Sequence, residues 1–323
     1  MHAEHSDSAV AQQRMHSLLA MAAAAVPLVG AVGMWLPGWP WPLTLLSLAP
    51  SLLLAGGVLG VIAGWRARRG TIALLGGATV LLTLAGIAPL YMAGPSPTVT
   101  SVPLRVLSAN VYTANQDAAR LLAYIAATDP DVIVLQEADD AWLRRLAPLF
   151  ARYPHRRHSV RLPGHPPDLL VLWRGEGVHV PEPPAFCGQH LRLEIDDHAL
   201  HLFNVHTASP FSIGRARRQV REYHAIAYAL DGVAGPVVVA GDFNAAPWSP
   251  RLRGLLRAQS LRQARRGYGV QPTWPSPVQY LGIPLDHVFV RGAVAVAHFA
   301  VGPHIGSDHR PIVVDLVVGE GEG

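Results

Sequence analysis

Hydrophobic positions are grouped at two different lengths along this chain. In roughly the first 95 residues, three uncharged apolar stretches follow one another: Ser17 to Leu36, Leu43 to Ala63 and Thr71 to Ala93. Each approaches the ~20 residues that a helix needs to cross a ~30 Å hydrocarbon layer. The pattern predicts three transmembrane helices over residues 17–93, after a short N-terminal segment at 1–16. A cleaved signal peptide is the alternative for the first stretch, but its apolar run exceeds the ~7–15 residues of a signal's apolar core, and two more spans follow. Gly56, Gly60 and Gly64 recur every four residues, which places small residues on one helix face and lets a neighbouring helix approach closely. No charged residue lies inside the spans, so an anchor explains them better than a transporter or a channel.

After residue 93 the apolar runs shorten to strand length: Leu104 to Ala109, Val132 to Gln136, Leu169 to Trp173, Leu200 to Val205, Val237 to Ala240, His287 to Val290 and Ile312 to Val317. Leu191 to Ile195 and His198 to Val205, separated by Asp196-Asp197, read as a hairpin. Helical patterns fall at Asp117 to Thr128, Ala138 to Phe150 and Arg215 to Leu230. Residues 94–103 read as a Pro/Ser/Thr-rich extended linker and 319–323 as a tail, which leaves 104–318 as the folded domain. Strands mixed with helices and hairpins predict an α/β fold, a two-sheet α/β sandwich preceded by the three helices.

Charge adds an orientation. All 26 basic residues are arginine, and the formal net charge is +4, which favours an anionic partner. Arg66, Arg68 and Arg69 sit in the second loop between spans, whereas the first loop, Pro37 to Pro42, carries no charge. By the positive-inside rule the second loop and the N-terminus with Arg14 face the cytoplasm, so the domain after the third span lies outside. Trp35, Trp39, Trp41 and Tyr91 then fall at the outer interface. Cys187 is the only cysteine, which excludes an intramolecular disulfide and a cysteine-ligated zinc site.

The chemistry is concentrated just after the strands. Asn110 follows the Val106-Leu107-Ser108-Ala109 run, Glu137 follows Val132 to Gln136, His206 ends the strand through Val205, and Gly241-Asp242-Phe243-Asn244 follows Val237 to Ala240. Later come Leu285-Asp286-His287 and Gly306-Ser307-Asp308-His309-Arg310-Pro311. Taken singly, an Asn or Glu after a strand is a turn residue, His206 a satisfied strand-end histidine and the Asp242/Asn244 pair a loop cap. Taken together they give carboxylates, amides and imidazoles that meet if the strand ends share one edge.

These blocks resemble the signature blocks of the endonuclease/exonuclease/phosphatase superfamily, in family order. The matching segments are Ser108-Ala109-Asn110-Val111, Leu135-Gln136-Glu137, Gly241-Asp242-Phe243-Asn244 and Gly306 to Pro311. The resemblance implies a deoxyribonuclease I-like sandwich and a phosphoesterase. It also implies that Glu137, helped by Asn110, binds Mg²⁺ or Mn²⁺ through hard oxygen ligands, with Asp308 completing or sharing a site of one or two ions. By the same resemblance Asp242 positions and deprotonates the attacking water, and Asn244 hydrogen-bonds that water or a phosphate oxygen. His309, oriented by Asp286, faces the phosphoryl oxygen, and His206 stabilises or protonates the leaving group. Where relatives carry a Gly-x-x-Ile/Leu-Leu-Ser-Arg stretch, this chain has Asp168-Leu169-Leu170-Val171-Leu172-Trp173-Arg174. The strand is kept and its flanking loop differs.

The expected activity is hydrolysis of a phosphodiester or phosphomonoester by a multi-pass protein of the cell (inner) membrane, with the lipid bilayer as partner of its helices. Nucleic acid, a phospholipid and a small phosphate ester are the candidate substrates. The alternative is a catalytically silent, membrane-anchored protein that binds a phosphate ligand. Arg215, Arg217, Arg218 and Arg221, and a second group from Arg251 to Arg266, are either phosphate-binding or solvated helix faces. Trp248 and Trp274 either stack on a base or sugar or pack internally.

Overall fold

The computed structural model describes residues 2–37, 41, 43–94, 102–159, 168–183, 186–195, 198–278 and 281–319. Most of the expected linker, the Asp196-Asp197 turn and most of the tail lie outside the described residues. The chain divides into two compact units, Met1–Ala88 with Trp248–Pro250, and Pro89–Pro247 with Arg251–Gly323.

The first unit holds α1 (His2–Gly33), a 3-10 turn at Leu43–Ser47, α2 (Pro50–Arg66) and α3 (Gly70–Ile87). Among the described residues one stretch, Gly70–Leu90, with 21 residues and a mean hydropathy of 2.0, is long and apolar enough to cross a membrane. Leu18–Gly33 and Pro50–Arg66 are apolar but shorter, so three transmembrane helices are not shown. The second expected span is shortened by Pro50, which starts α2 and leaves Ala49 outside the helix at φ −110°, ψ 80°. A residue before proline is pushed out of the helical region, and the earlier part of the run forms the 3-10 turn instead. At the first span the helix already begins at His2, within the segment expected to precede it.

The glycine stripe works differently from its sequence reading. A Cβ on Gly57, Gly60 or Gly64 would meet α3 at Val80, Gly76 and Ala73, whereas one on Gly56 would meet Pro27 of α1. Two faces of α2 are therefore used, each relying on small residues for backbone approach. Trp248, grouped with this unit, is 1% exposed and donates its indole N–H to the Ser47 carbonyl at 2.8 Å. That burial makes it a packing residue and removes it as a stacking surface.

The second unit is a sandwich of two six-stranded sheets. In chain order its strands are β1 (Val102–Asn110), β2 (Val132–Gln136), β3 (His155–Ser159), β4 (Leu169–Trp173), β5 (Glu176–His179), β6 (Gly188–Ile195), β7 (His198–His206), β8 (Val237–Asp242), β9 (Arg262–Gln263), β10 (Asp286–Arg291), β11 (Val294–Val301) and β12 (Ile312–Val318). One sheet has the order β11-β12-β1-β2-β4-β3 and the other β5-β6-β7-β8-β10-β9. Its α-helices among the described residues are α4 (Ala119–Thr128), α5 (Asp140–Arg145), α6 (Ile213–Leu230) and α7 (Pro250–Ala258).

Alternation along the strands sorts side chains into layers. Val106, Val134, Val171, Leu191, Leu202, Val238, Val288 and Val314 meet between the sheets. Leu107, Ile133, Leu135 and Leu172 point the other way and pack with Leu121 and Ile125 of α4 and Trp142 of α5. Phe203, Val205, Val239 and Phe289 do the same with Tyr223 and Ile226 of α6 and Leu252 and Leu255 of α7. Burying each such side chain contributes about 1.5–3 kcal/mol. The expected helix from Ala138 to Phe150 is in fact α5 followed by a 3-10 turn at Ala147–Leu149, because Pro148 cannot continue an α-helical ladder.

Candidate active site

Two parallel strand pairs bring the polar residues together. In β1/β2, Asn110 is opposite Gln136, and in β7/β8, His206 is opposite Asp242. Parallel strands end at the same edge, so Asn110, Glu137, His206 and Asp242 leave their sheets together. β10 runs antiparallel to β8 with Asp286 opposite Asp242, and β12 runs antiparallel to β1 with Ile312 opposite Ser108. The start of β10 and the segment before β12, which carries Asp308 and His309, therefore reach that edge as well. Across the sheets Asn110 Nδ2 donates to Asp242 Oδ2 at 3.1 Å, and Ser307 Oγ donates to the Asn110 carbonyl at 2.7 Å. A buried amide pair beneath, Gln136 Nε2 to Asn204 Oδ1 at 2.9 Å, ties β2 to β7.

All eight residues expected from the sequence are at this end. Glu137, His206, Asp242, Asn244, Asp308 and His309 line one cleft of about 410 Å³. Asn110 and Asp286 stand behind it, 1% and 0% exposed.

The backbone here is unusual. Gly241 has φ +143°, and a Cβ there would lie 1.9 Å from the Val205 carbonyl oxygen, so only glycine lets β8 pass β7 immediately before Asp242. Glu137 and Asn244 are non-glycine residues at φ 59° and 47°, a conformation that costs on the order of 1–3 kcal/mol and persists only when the surroundings enforce it. For Asn244 they do: its N–H donates to Asp242 Oδ1 at 2.8 Å, and its Nδ2 donates to Thr207 O at 2.9 Å and to Asp242 Oδ2 at 3.2 Å. Glu137 Oε2 accepts from the Thr113 N–H at 3.2 Å, and Oε1 accepts from Asn110 Nδ2 at 3.1 Å. The amide nitrogen of Asn244 is thus committed to Asp242 and Thr207, not free for a phosphate oxygen.

His309 Nδ1 donates to Asp286 Oδ2 at 2.8 Å, which turns Nε2 to within 3.8 Å of Asp242 Oδ2. Burial alone lowers the imidazole's pKa, but the Asp286 and Asp242 carboxylates outweigh it and push His309 up to about 10. Burial raises the Asp242 carboxyl above its usual range despite His309 and His206. Asp286, though buried, is held low by His309. His206 Nε2 faces the same carboxylates, 3.5 Å from Asp242 Oδ2 and 4.0 Å from Glu137 Oε1.

The donor set fits a divalent cation. Ligand atoms of Asp242, Asp286 and His309 lie within 4.8 Å of one another, close enough to hold one. In that group Asp286 Oδ2 already takes the His309 proton, so a protonated His309 itself supplies the positive charge. Facing the cleft, Glu137 Oε1 and Asp242 Oδ2 both accept from the side-chain amide Nδ2 of Asn110. Two carboxylates ~4 Å apart repel by about 4 kcal/mol at an effective dielectric of ~20, more than one neutral donor offsets. Hard oxygens of this kind suit Mg²⁺ or Mn²⁺.

Several supporting residues carry no sequence signal of their own. The Thr273 hydroxyl accepts the Asp286 N–H at 3.2 Å, and the buried Arg265 donates to the Asp286 carbonyl at 2.5 Å. Trp274 is a different case: it lines the cleft and its indole N–H donates to Asp308 Oδ2 at 3.3 Å. Of the first arginine group only Arg215 and Arg218 line the cleft.

Residues 107–309 match the profile of the Endonuclease/Exonuclease/phosphatase family. A UPF0294 protein of Klebsiella pneumoniae (strain 342) is 28% identical over 250 residues, covering 73% of this chain and 90% of that protein. The solved endonuclease/exonuclease/phosphatase of Beutenbergia cavernae is similar at a TM-score of 0.51 and 25% identity, over 67% of this chain and 72% of that one. D. rerio TDP2 complexed with single strand DNA product shares the fold at a TM-score of 0.52 and 18% identity, over 66% of this chain and 98% of that chain. The profile match spans more than half of the chain, from β1 to His309 itself, and this chain belongs to the Endonuclease/Exonuclease/phosphatase family.

Proposed function

We propose that this protein is a divalent-metal-dependent phosphoesterase, hydrolysing a phosphodiester or phosphomonoester on the outer side of a membrane in which its N-terminal helices anchor it. The observation that carries the reading is the convergence in one cleft of the Asp286-held His309, the buried Asp242 and the Glu137 carboxylate. Asp242, oriented by Asn110 and Asn244, accepts the proton of the attacking water. A carboxylate raised above its usual pKa is a better base for that step. His309 Nε2 stands where negative charge grows on the phosphoryl oxygen, and Asp286 keeps its ring in place. His206, whose Nε2 also faces Asp242 Oδ2, gives a proton to the leaving oxygen. Glu137, Asn110 and Asp308 would hold Mg²⁺ or Mn²⁺, which when bound offsets the carboxylate charge and polarises the phosphoryl group.

Nucleic acid is supported as a substrate by the DNA product bound to D. rerio TDP2, and a phospholipid by the apolar helix at Gly70–Leu90. The test is the purified full-length chain in detergent against bis(p-nitrophenyl) phosphate, DNA, RNA and phospholipid, with and without Mg²⁺. Turnover of none of them in any metal would falsify the reading, and binding without turnover would favour a silent ligand-binding protein. The side of the membrane is tested by a C-terminal fusion to a phosphatase active only outside the cytoplasm. An expressed but inactive fusion reverses the orientation.

A further inference from the structure

The cleft also carries cationic side chains. Arg215 and Arg218 of α6 line it together with Asp242, Asp308 and His309. Residues three apart on a helix share a face, which is why these two reach the cleft while the exposed Arg217 does not line it.

The two arginines differ in what already holds them. Arg218 Nε donates to Glu222 Oε1 at 2.6 Å, and Glu222 Oε2 accepts the Ala208 N–H at 2.6 Å. This chain of contacts braces the loop after His206 against α6. Arg215 is exposed and donates to the Ser209 hydroxyl at 3.2 Å. Among the described residues no ion pair to a carboxylate is formed by Arg215, so its guanidinium is open to a bound anion. The same cleft is lined by Phe211, 53% exposed, and Trp274, with ring centroids 6.3 Å apart. A cleft that combines two aromatic rings, an arginine and a phosphoester-cleaving group suits a substrate with a flat or cyclic body and a second anion.

On the phosphoesterase reading above, we propose that Arg215 forms a subsite for a second, non-scissile phosphate of the substrate, with Arg218 holding the subsite's loop in place. The planar guanidinium fork matches two phosphate oxygens at once, which makes the contact directional as well as attractive.

The test uses the full-length chain with Mg²⁺ and two esters that differ in one group: thymidine 3′-phosphate 5′-(p-nitrophenyl phosphate) and the same ester without the 3′-phosphate. The expected result is a kcat/KM about tenfold higher for the ester with two phosphates, the equivalent of about 1.4 kcal/mol. Arg215→Gln abolishes that preference, while Arg217→Gln, on the exposed face of α6, retains it. Equal rates for the two esters in the native chain, or an unchanged preference in Arg215→Gln, overturn the subsite. Failure to cleave either ester by a chain that turns over DNA, RNA or phospholipid overturns the subsite alone, and turnover of none of these substrates sinks the phosphoesterase reading with it.

Discussion

His309 Nδ1 and Asp286 Oδ2 are hydrogen-bonded at 2.8 Å although 23 residues separate them in sequence. Asp286 opens β10 opposite Asp242, and His309 ends a tight segment in which its own N–H donates to Ser307 Oγ at 3.0 Å. Both ends of the bond are therefore fixed by the sheets, and the carboxylate holds the ring oriented and protonated. Asp286→Asn keeps the shape and loses that control. We expect kcat to fall by about 10²-fold or more with KM changed far less, as when an orienting carboxylate is neutralised in other acid–base sites. Steady-state kinetics on bis(p-nitrophenyl) phosphate measures it, and a variant retaining half of the native kcat would take the pair out of the mechanism.

Asp242 presents the opposite balance between stability and activity. It is 1% exposed and its carboxyl is raised mainly by burial, so its charge is a cost to the fold. Asp242→Asn is expected to lower kcat by at least about 10³-fold while leaving the thermal midpoint unchanged or higher. Differential scanning fluorimetry beside the rate assay checks both halves. A large drop in midpoint would make Asp242 a structural residue.

Metal removal separates Glu137 from these groups. Chelation with EDTA is expected to abolish turnover and added Mg²⁺ or Mn²⁺ to restore it. Glu137→Gln removes one negative charge from the cleft and should raise the Mg²⁺ concentration for half-maximal rate by at least about tenfold. Full activity in EDTA, or a Mg²⁺ titration in Glu137→Gln that matches the native one, would refute the assignment.

Asn110, Glu137, His206 and Asp242 were legible in the sequence because each stands at the end of an apolar strand, and strand ends are what a parallel pair gathers; Asp286, Asp308 and His309 were legible through the family-like blocks that carry them. What decides their contacts was not legible. That Asn244 would spend its amide on Thr207 and Asp242 depends on a left-handed backbone at Asn244 and on Gly241 passing the Val205 carbonyl. Arg265 lies buried 21 residues before Asp286 and shows nothing in sequence to set it apart from its solvated neighbours. The short strands β3 and β9 lack apolar alternation: His155–Ser159 and Arg262–Gln263 pair only because β4 and β10 offer them an edge. In the helical unit composition overstated length, since the Leu43 to Ala63 run is uncharged throughout yet broken at Pro50.

Stability should depend on pH through a histidine pair far from the cleft. His190 Nε2 and His201 Nδ1 lie 2.9 Å apart, and His190 stacks on Phe203 with centroids 4.0 Å apart. Burial, then the neighbouring His201, lowers His190 to about 4, and burial lowers His201 as well. Both rings are neutral in the fold and take up protons more readily when unfolded, so their contribution is complete above pH ~6.5 and is lost as pH falls toward 4. Each proton involved contributes a slope of up to about 1.4 kcal/mol per pH unit. The thermal midpoint should therefore drop between pH 7 and pH 4.5, and His190→Gln should flatten that drop. An identical pH dependence in the variant would show that other groups set it.

Two glycines in the helical unit should respond in opposite directions to the same methyl group. At Gly64 an added Cβ would lie 2.4 Å from the Ala73 nitrogen and 2.8 Å from its Cα, both backbone atoms of α3 that cannot move without separating the helices. At Gly77, also in α3, nothing lies within 4 Å of the added atom. There alanine gains its helix propensity over glycine, about 1 kcal/mol, without a clash. Gly77→Ala should leave the thermal stability of the detergent-solubilised chain unchanged or slightly higher. Gly64→Ala should lower it and expose the loop at Arg66, Arg68 and Arg69 to trypsin. Equal protease resistance in the two variants would mean that α2 and α3 do not pack through their glycines.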